Sequence, residues 1–313
     1  MGYSLYRLEF TTGLHVGTDR GGSSLGDGRM TIHSDTFFSA LCCERTKFGD
    51  INRLYDFFSS GALVISDTLP YKGEEYFLPK PVLHTRNSKG EGNHKLKKTL
   101  RSIEFIPLSV FDKYLKGYSD EELEVECLNQ YFGGLVTDTK VSIKHHPEPM
   151  PYHVAYWRFP EDTGLYIIVR FENQSALSYF EETLFHLGLS GVGGKQSSGL
   201  GKFNFKKVSL PEKLYELLED RDADYQMLLG TALPEEKELE EALSGGWYTL
   251  IRRGGFVRSE IYSEIQLKKR TIYMLSPGSC LRKRFNGSIF DISDGGNHPV
   301  WRYGMTLFAG VRL

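Results

Sequence analysis

The stretch over residues 188–205 constrains the fold more than any other part of the chain, because five of the eleven residues over 191–201 are glycine. Apolar residues at a spacing of three to four over 177–187 predict a helix before it, which Gly188 would end. The alternating run over 202–208 predicts a strand after it. The chain must therefore turn from a helix into a strand through backbone that can reach positive φ.

This loop has the composition of an anion-binding turn. Successive N–H groups in a glycine-rich turn form a nest for anions, so a phosphate chain is the expected ligand. Lys195, Ser197 and Ser198 add positive charge and hydroxyl groups. A Walker A loop requires Ser or Thr after its lysine, but Gln196 follows Lys195. A Rossmann loop opens a helix after a strand, whereas the order here is reversed. A loop without a ligand is the alternative.

The other patterns predict an α+β fold. Residues 3–10 alternate as a strand, and Asp35, or the serine before it, can cap a helix that ends at Gly49. Residues 62–65 and 165–171 are apolar runs typical of buried strands. The resulting order of strand, helix, strand, strand, helix and strand is that of a ferredoxin-like βαββαβ unit.

The length of 313 residues suggests two domains. The first, over 1–210, is the ferredoxin-like (RRM-like) unit, with a large insertion at about 72–156 whose charges and turns fit no core pattern. Residues 211–313 are predicted as a second, degenerate copy of the unit. This half begins with an acidic, exposed helical segment over 211–244 and continues with strands. We therefore expect tandem ferredoxin-like domains.

Charge is segregated along the chain, although the net charge is only −2. Basic residues dominate 79–115 and the stretch after Trp247, and acidic residues dominate 211–244. This fits a polyanion-binding face beside an acidic one, or solvated surface runs. No apolar run is long enough to span a membrane, no signal-peptide pattern is present, and the four cysteines lack metal-ligand spacing. We expect a cytoplasmic protein that uses no metal and no cofactor.

Several segments resemble the RAMP superfamily of CRISPR-associated proteins. The loop at 188–205 is similar to the superfamily's glycine-rich loop between the last helix and last strand of a ferredoxin-like fold. Residues 14–17 (LHVG) and 34–41 (SDTFFSAL) resemble the opening of the Csm-type subunit that holds the 5′ end of the guide RNA in type III-A effectors. Residues 298–304 (HPVWRYG) resemble that subunit's C-terminus, whereas 72–156 matches nothing in it closely.

The resemblance implies a noncatalytic RNA-binding protein, the fourth subunit of a Csm complex. Such a subunit holds the repeat-derived 5′ tag of the CRISPR RNA (crRNA) and contacts the large polymerase-like subunit and the backbone-forming subunit. It involves no membrane, metal, cofactor or small-molecule substrate, and no catalytic residue is expected. Combined with local charge and glycine content, the resemblance nominates these RNA-binding residues: Gly191, Gly193, Gly194, Lys195, Gln196, Ser197, Ser198, Gly199, Gly201, His15, Gly17, Arg20, Ser34, Arg252, Arg253, Arg282, Lys283 and Arg284.

Two related functions stay open at this stage. One is a RAMP-type endoribonuclease that processes CRISPR RNA, in which a histidine such as His15 acts as a general base on a 2′-hydroxyl. Such enzymes usually carry the glycine loop near the C-terminus, whereas 112 residues follow Gly201 here. The other is the equivalent Cmr-type subunit. We also expect bulky residues at Gly193 and Gly194 to weaken RNA binding more than fold stability.

Overall fold

The computed structural model describes residues 1–18, 25–83, 102–116, 131–142, 150–259 and 261–313. Its α-helices are α1 (Ser34–Phe48), α2 (Ile51–Ser59), α3 (Phe111–Leu115), α4 (Gln174–Ser190), α5 (Glu212–Glu219) and α6 (Glu236–Leu243). Its strands are β1 (Gly2–Phe10), β2 (Leu63–Ile65), β3 (Leu69–Lys72), β4 (Glu75–Pro79), β5 (Phe105–Pro107), β6 (Gly134–Ser142), β7 (Met150–Arg158), β8 (Thr163–Phe171), β9 (Phe203–Val208), β10 (Tyr225–Leu228), β11 (Leu250–Arg253), β12 (Ile272–Leu275), β13 (Cys280–Leu281), β14 (Ile289–Asp291), β15 (Trp301–Tyr303) and β16 (Phe308–Val311).

The described chain is a mixed α/β fold built on antiparallel sheets. Its largest sheet has the order β5-β4-β3-β8-β1-β9, and β2 pairs with the far end of β8. Every strand pair in this sheet is antiparallel. The continuous apolar run in β8 is buried along most of its length, as expected for a central strand. The strands predicted over 3–10, 62–65, 165–171 and 202–208 are confirmed.

Helices α1 and α4 pack against this sheet and against each other. Phe37, Phe38 and Leu41 of α1 and Phe180 of α4 are buried in the main core. A buried arginine joins the two helices: the Arg45 Nε donates to the Thr183 hydroxyl at 2.7 Å, and its guanidinium stacks 3.8 Å from the Tyr179 ring centroid. The stem of Arg45 therefore adds packing as well as charge.

Helix α4 is longer than predicted, because it passes through Gly188 and ends at Ser190. Gly188 serves helix-to-sheet packing instead, since a Cβ there would lie 2.5 Å from the main-chain oxygen of Phe203. The helix ends where Gly191 adopts a φ of 88° and its N–H bonds to the Leu187 carbonyl. The prediction that Gly188 ends the helix is wrong by one turn.

The second half of the chain forms smaller sheets. β10 lies between β13 and β16, β11 pairs with β12, and β14 pairs with β15. The acidic segment over 211–244 is not a single exposed helical stretch, because β10 is a fully buried strand between α5 and α6. Met227 of β10 and Tyr303 of β15 belong to the same hydrophobic core as β1 and β8. One core therefore crosses the boundary predicted near residue 210.

Candidate functional site

The glycine-rich loop after α4 folds back onto the segment that leaves β1. The Gly194 N–H donates to the His15 carbonyl at 2.8 Å, and the Gly201 N–H donates to the Gly13 carbonyl at 2.8 Å. Within the loop, the Val192 N–H donates to the Gly201 carbonyl at 2.9 Å. These bonds tie the glycine-rich loop to residues 13–16, so His15 and the loop form one surface.

Glycines of the loop are required where other main-chain atoms approach closely, and Gly193 and Gly201 show the shortest distances. Gly193 has a φ of 92°, and a Cβ there would lie 2.3 Å from the His15 carbonyl oxygen. Gly201 has a φ of 80°, and a Cβ there would lie 2.0 Å from the Val192 carbonyl oxygen. Any larger residue must displace the loop. We therefore now expect substitutions at Gly193 to reduce fold stability as well as RNA binding.

The tip of the loop leaves backbone donors free. Lys195 adopts a left-handed φ of 59° and precedes a single 3-10 turn over Gln196–Ser198. The N–H groups of Lys195, Gln196 and Ser197 make no hydrogen bond within the described chain. Consecutive N–H groups after a left-handed residue form a concavity suited to an anionic oxygen.

Two cations flank this tip. The Lys195 ammonium lies 5.0 Å from the centroid of the Tyr152 ring, and the Arg258 Nη2 donates to the Gln196 Oε1 at 2.6 Å. Ser197 and Ser198 are exposed beside them. The glycine-rich loop thus presents free donors, hydroxyls, an aromatic face and positive charge together, which is the chemistry that single-stranded nucleic acid requires.

His15 is buried between the loop and the β6–β7 hairpin. Its Nδ1 lies 2.5 Å from the Ala155 carbonyl oxygen, which can only accept, so Nδ1 carries the proton. A Cβ on Gly194 would lie 2.6 Å from the His15 ring. Gly17, also nominated, is half-buried just beyond. Arg20 lies outside the described residues.

Ser34 is nominated by the sequence but is fully buried. Its hydroxyl donates to the Thr231 carbonyl at 3.2 Å, and its N–H donates to the Asp67 Oδ1 at 2.7 Å. The Asp67 carboxylate therefore satisfies the first N–H of α1. The prediction that Asp35 or Ser34 caps this helix is wrong, because neither side chain caps it.

Asp67 anchors a buried polar cluster that joins the two halves of the chain. Its Oδ1 also accepts from the Thr231 N–H at 2.7 Å, and its Oδ2 lies 2.5 Å from the His33 Nδ1. Burial alone would raise the pKa of this carboxyl group. The neighbouring His33 ring and the N–H groups of Ser34 and Thr231 reverse that effect and lower the pKa of Asp67 below its ordinary value.

Asp35 binds two arginines from the second half of the chain. The Arg253 Nε and Nη2 each donate to this carboxylate at 2.9 Å, in the bidentate geometry typical of Arg–carboxylate pairs. The Arg302 Nη1 bonds to the same group. Arg253, a nominated RNA ligand, is therefore buried against Asp35, whereas Arg252 on the opposite face of β11 is exposed.

The three basic residues over 282–284 contact β10, α6 and α5 of the second half. The Arg282 guanidinium lies 4.0 Å from the Tyr225 ring centroid, and the Lys283 ammonium pairs with Glu241 at 2.5 Å. The Arg284 Nη1 donates to the Leu218 carbonyl at 2.9 Å, near the end of α5. These contacts do not bring the three residues to the glycine-rich loop, and their nomination as RNA ligands stays a prediction.

No helix in the ranges given above is long and apolar enough to cross a membrane. Within the same ranges, no group of His, Cys, Asp and Glu side chains could hold a metal ion.

Sequence comparisons match the chain to proteins named Csm4. The family model described as the CRISPR Csm4 C-terminal domain matches residues 221–311. A protein named CRISPR system Cms protein Csm4 from Mycobacterium tuberculosis (strain ATCC 25618 / H37Rv) is 35% identical, covering 99% of this chain and 98% of the relative. A protein of the same name from Streptococcus thermophilus is 31% identical, covering 98% of each.

Solved structures share the fold at lower identity. A chain in the crystal structure of a Csm3-Csm4 subcomplex of the type III-A CRISPR-Cas interference complex has a TM-score of 0.67 at 17% identity, with 98% of this chain and 99% of that chain covered. A chain in the crystal structure of a Csm1-Csm4 cassette in complex with cA4 has a TM-score of 0.59 at 19% identity, with 100% of this chain and 99% of that chain covered. With full-length relatives at 31% and 35% identity, the chain belongs to the Csm4 family, which confirms the resemblance seen in its sequence.

Proposed function

We propose that this protein is a noncatalytic RNA-binding subunit of a type III-A CRISPR interference complex that holds the 5′ repeat-derived tag of the crRNA. The observation that carries the proposal is the run of three free N–H groups over Lys195–Ser197, flanked by the Lys195 and Arg258 cations. Such a site fits phosphates of an extended strand, with Tyr152 available for stacking on an unpaired base.

The strand order supports the proposed ferredoxin-like first domain. Counting only β1, β2, β8 and β9, the order across the sheet is fourth, first, third and second, and along the chain α1 connects β1 to β2 while α4 connects β8 to β9. On this view, β4, β5 and the β6–β7 hairpin belong to the insertion at about 72–156, and the hairpin holds His15 through Ala155. We propose that residues 211–313 form the degenerate second copy, which shares its core with the first.

We propose that the protein docks the large polymerase-like subunit and the backbone-forming subunit. This proposal rests on the Csm3-Csm4 subcomplex and the Csm1-Csm4 cassette, whose Csm4 chains have this fold. Exposed apolar side chains near the glycine-rich loop, Phe48, Phe185 and Leu189, fit a docking role beside the RNA.

Binding without cleavage is supported by the surroundings of His15. The ring is buried and its Nδ1 is committed to the Ala155 carbonyl, so the side chain supports the glycine-rich loop from beneath. A general base must reach the substrate hydroxyl within hydrogen-bond distance. We propose that His15 positions the loop and does not take a proton from RNA.

The proposal is tested by a titration of the purified protein with labelled RNA at physiological salt. One RNA carries its own 5′ tag and the other a scrambled tag, and each sample is also run on a denaturing gel. We expect tighter binding to the tagged RNA, which stays intact. Discrete cleavage products would support the endoribonuclease instead, and equal binding to both RNAs would contradict recognition of the tag.

A pair of matched variants connects the binding to the glycine-rich loop. Lys195→Gln removes one charge from the tip of the loop, and Lys237→Gln removes one from α6, where the lysine pairs only with acidic neighbours. We expect the first variant to weaken RNA binding several-fold and the second to leave it unchanged. Equal effects would contradict a site in the loop.

A further inference from the structure

Three cationic side chains lie around Asp35 at the start of α1, and two of them, Arg253 and Arg302, are buried. The Asp35 carboxylate bonds to both of these arginines. Lys269 is close enough for its charge to interact with all three of these groups. We call Asp35, Arg253, Arg302 and Lys269 the anion cluster, because we argue below that it binds an anion. These four residues are three cationic side chains and one carboxylate.

One side of Arg302 has no partner. Its side chain is only 4% exposed, and its Nε and Nη2 donate to nothing in the described chain. These two nitrogens form one edge of the guanidinium, the same edge that Arg253 uses to grip Asp35. A buried donor without an acceptor costs free energy, and a buried charge costs more. Arg302 therefore presents a complete but empty bidentate fork.

The electrostatics agree with a missing anion. Burial, together with the charge of Arg302, lowers the pKa of Arg253 to about 9. Burial and the same neighbour lower the pKa of Lys269 to about 8, despite the opposing effect of Asp35. A second anion in the anion cluster would relieve both groups.

We propose that a phosphate of the bound RNA occupies this anion cluster, held by the Nε and Nη2 of Arg302 and by Lys269. The inference rests on the proposed function and adds a second phosphate site to it. Guanidinium forks match phosphate oxygens bidentately, whereas a lysine supplies a point charge. Because the fork is closed to water in the free protein, the side chains over it move when the phosphate enters.

RNA is favoured over a protein carboxylate because the anion cluster is continuous with the glycine-rich loop. Arg258 bonds to Gln196 in that loop, and both Arg258 and Lys269 act electrostatically on Cys43 of α1. Two cations, Arg258 and Lys269, therefore lie between the glycine-rich loop and Asp35, and Glu44 is the opposing charge beside Cys43. A strand lying on the loop can place a neighbouring phosphate at Arg302.

The test compares wild type with two variants of the anion cluster and one control. Lys269→Gln removes the charge, and Arg302→Lys keeps a cation for Asp35 but removes the fork. Lys237→Gln on α6 is the control. Affinity for the tagged RNA is measured at several salt concentrations between about 50 and 200 mM, because each phosphate contact to a single strand contributes about 0.7 to the slope of log K against log salt.

We expect both cluster variants to bind several-fold more weakly, with the control unchanged. Lys269→Gln should also lose up to about 0.7 from this slope, whereas Arg302→Lys keeps its charge and should keep most of the slope. We also expect Lys269→Gln to melt no lower than wild type without RNA, because it removes a charge from a net positive cluster. If Lys269 had only a structural role, its replacement would lower the melting temperature.

The remaining outcomes separate this inference from the proposed function. If wild type fails to bind the tagged RNA, both the proposed function and this phosphate site are overturned. If wild type binds and the cluster variants keep its affinity for the tagged RNA, only this inference is overturned. Unchanged RNA binding with lost co-purification of the large subunit would assign Arg302 to an acidic side chain of that partner, which also overturns it. A lower melting temperature in Lys269→Gln overturns it as well.

Discussion

Replacing Asp35 with asparagine removes the carboxylate shared by two buried guanidiniums. The Asp35 side chain is fully buried, and Arg253 donates two hydrogen bonds to it at 2.9 Å. Breaking a buried ion pair by removing one partner costs about 3–5 kcal/mol, because the other charge stays buried without compensation. Two cations lose their anion here, so we expect Asp35→Asn to lower the free energy of unfolding by about 4 kcal/mol.

The assay is urea unfolding of wild type and variant, followed by tryptophan fluorescence and circular dichroism. Asp220→Asn is the matched control, since Asp220 also accepts from the Nε and Nη2 of one arginine, at 2.7 and 2.6 Å. That partner, Arg312, has a side chain that is 66% exposed, so the expected loss is at most about 1 kcal/mol.

The contrast between the two variants decides the argument. Both remove one negative charge from a bidentate Arg–Asp pair, and they differ in burial and in the second arginine, Arg302, that Asp35 also binds. A loss for Asp35→Asn no larger than that for Asp220→Asn would refute the claim that burial makes the Asp35 contacts strong. A change in the slope of the free energy of unfolding against urea concentration, without a shift of the unfolding midpoint, would also contradict it.

Three further predictions follow from single contacts. Gly201→Ala should destabilise the protein more than Gly199→Ala, because only at Gly201 would the Cβ meet a main-chain oxygen, 2.0 Å away; chemical denaturation of both variants checks this. Tyr303→Phe should cost about 1–3 kcal/mol, because the buried N–H of Ile65 loses its hydroxyl acceptor at 3.0 Å; Tyr303→Leu, which also removes ring packing, should cost more in the same assay. The free energy of unfolding of Lys269→Gln should exceed that of wild type most near pH 7. This difference should shrink between about pH 8 and pH 10.5, because Lys269 loses its proton at lower pH in the folded wild type than in the unfolded chain. A difference independent of pH would contradict the lowered pKa of Lys269.

Buried polar contacts hold the two halves of the chain together beside the candidate site. Asp35 on α1 bonds to Arg253 of β11 and Arg302 of β15, and Asp67 bonds to Thr231. Hydrogen-bonded buried charges of this kind fix one arrangement of the elements that carry them. The orientation of the second half relative to the glycine-rich loop is thereby set, as the proposed binding of RNA and two subunits at once would require.

The local patterns of the sequence were sufficient for the main elements and for the loop. Alternation over 3–10 and the apolar run over 165–171 identified two central strands, since burial on a sheet leaves a period of two or an unbroken apolar run. Clustered glycines located the loop, because positive φ and close backbone approach exclude most other residues. The short motifs over 14–17 and 34–41 identified the family.

Local patterns were misleading where a contact came from far along the chain. Glycine commonly ends a helix, yet Gly188 lies inside α4, which continues to Ser190. Gly188 instead allows close packing against the Phe203 carbonyl. An aspartate in the first turn of a helix is a common cap, yet Asp35 pairs with arginines more than 200 residues away, and Asp67 satisfies the helix N–H instead. β10 was missed within its acidic flanks.

The sequence by itself determined that a glycine-rich turn joins a helix to a strand and carries positive charge. Only the tertiary structure decided that His15 lies beneath this turn, that Arg253 is buried and that Arg302 keeps an empty fork. The physical reason is the separation along the chain of the residues that determine each feature. Backbone conformation and amphipathic period are encoded within a few residues, whereas the pairing of a buried charge depends on which distant side chains the packed core brings to it.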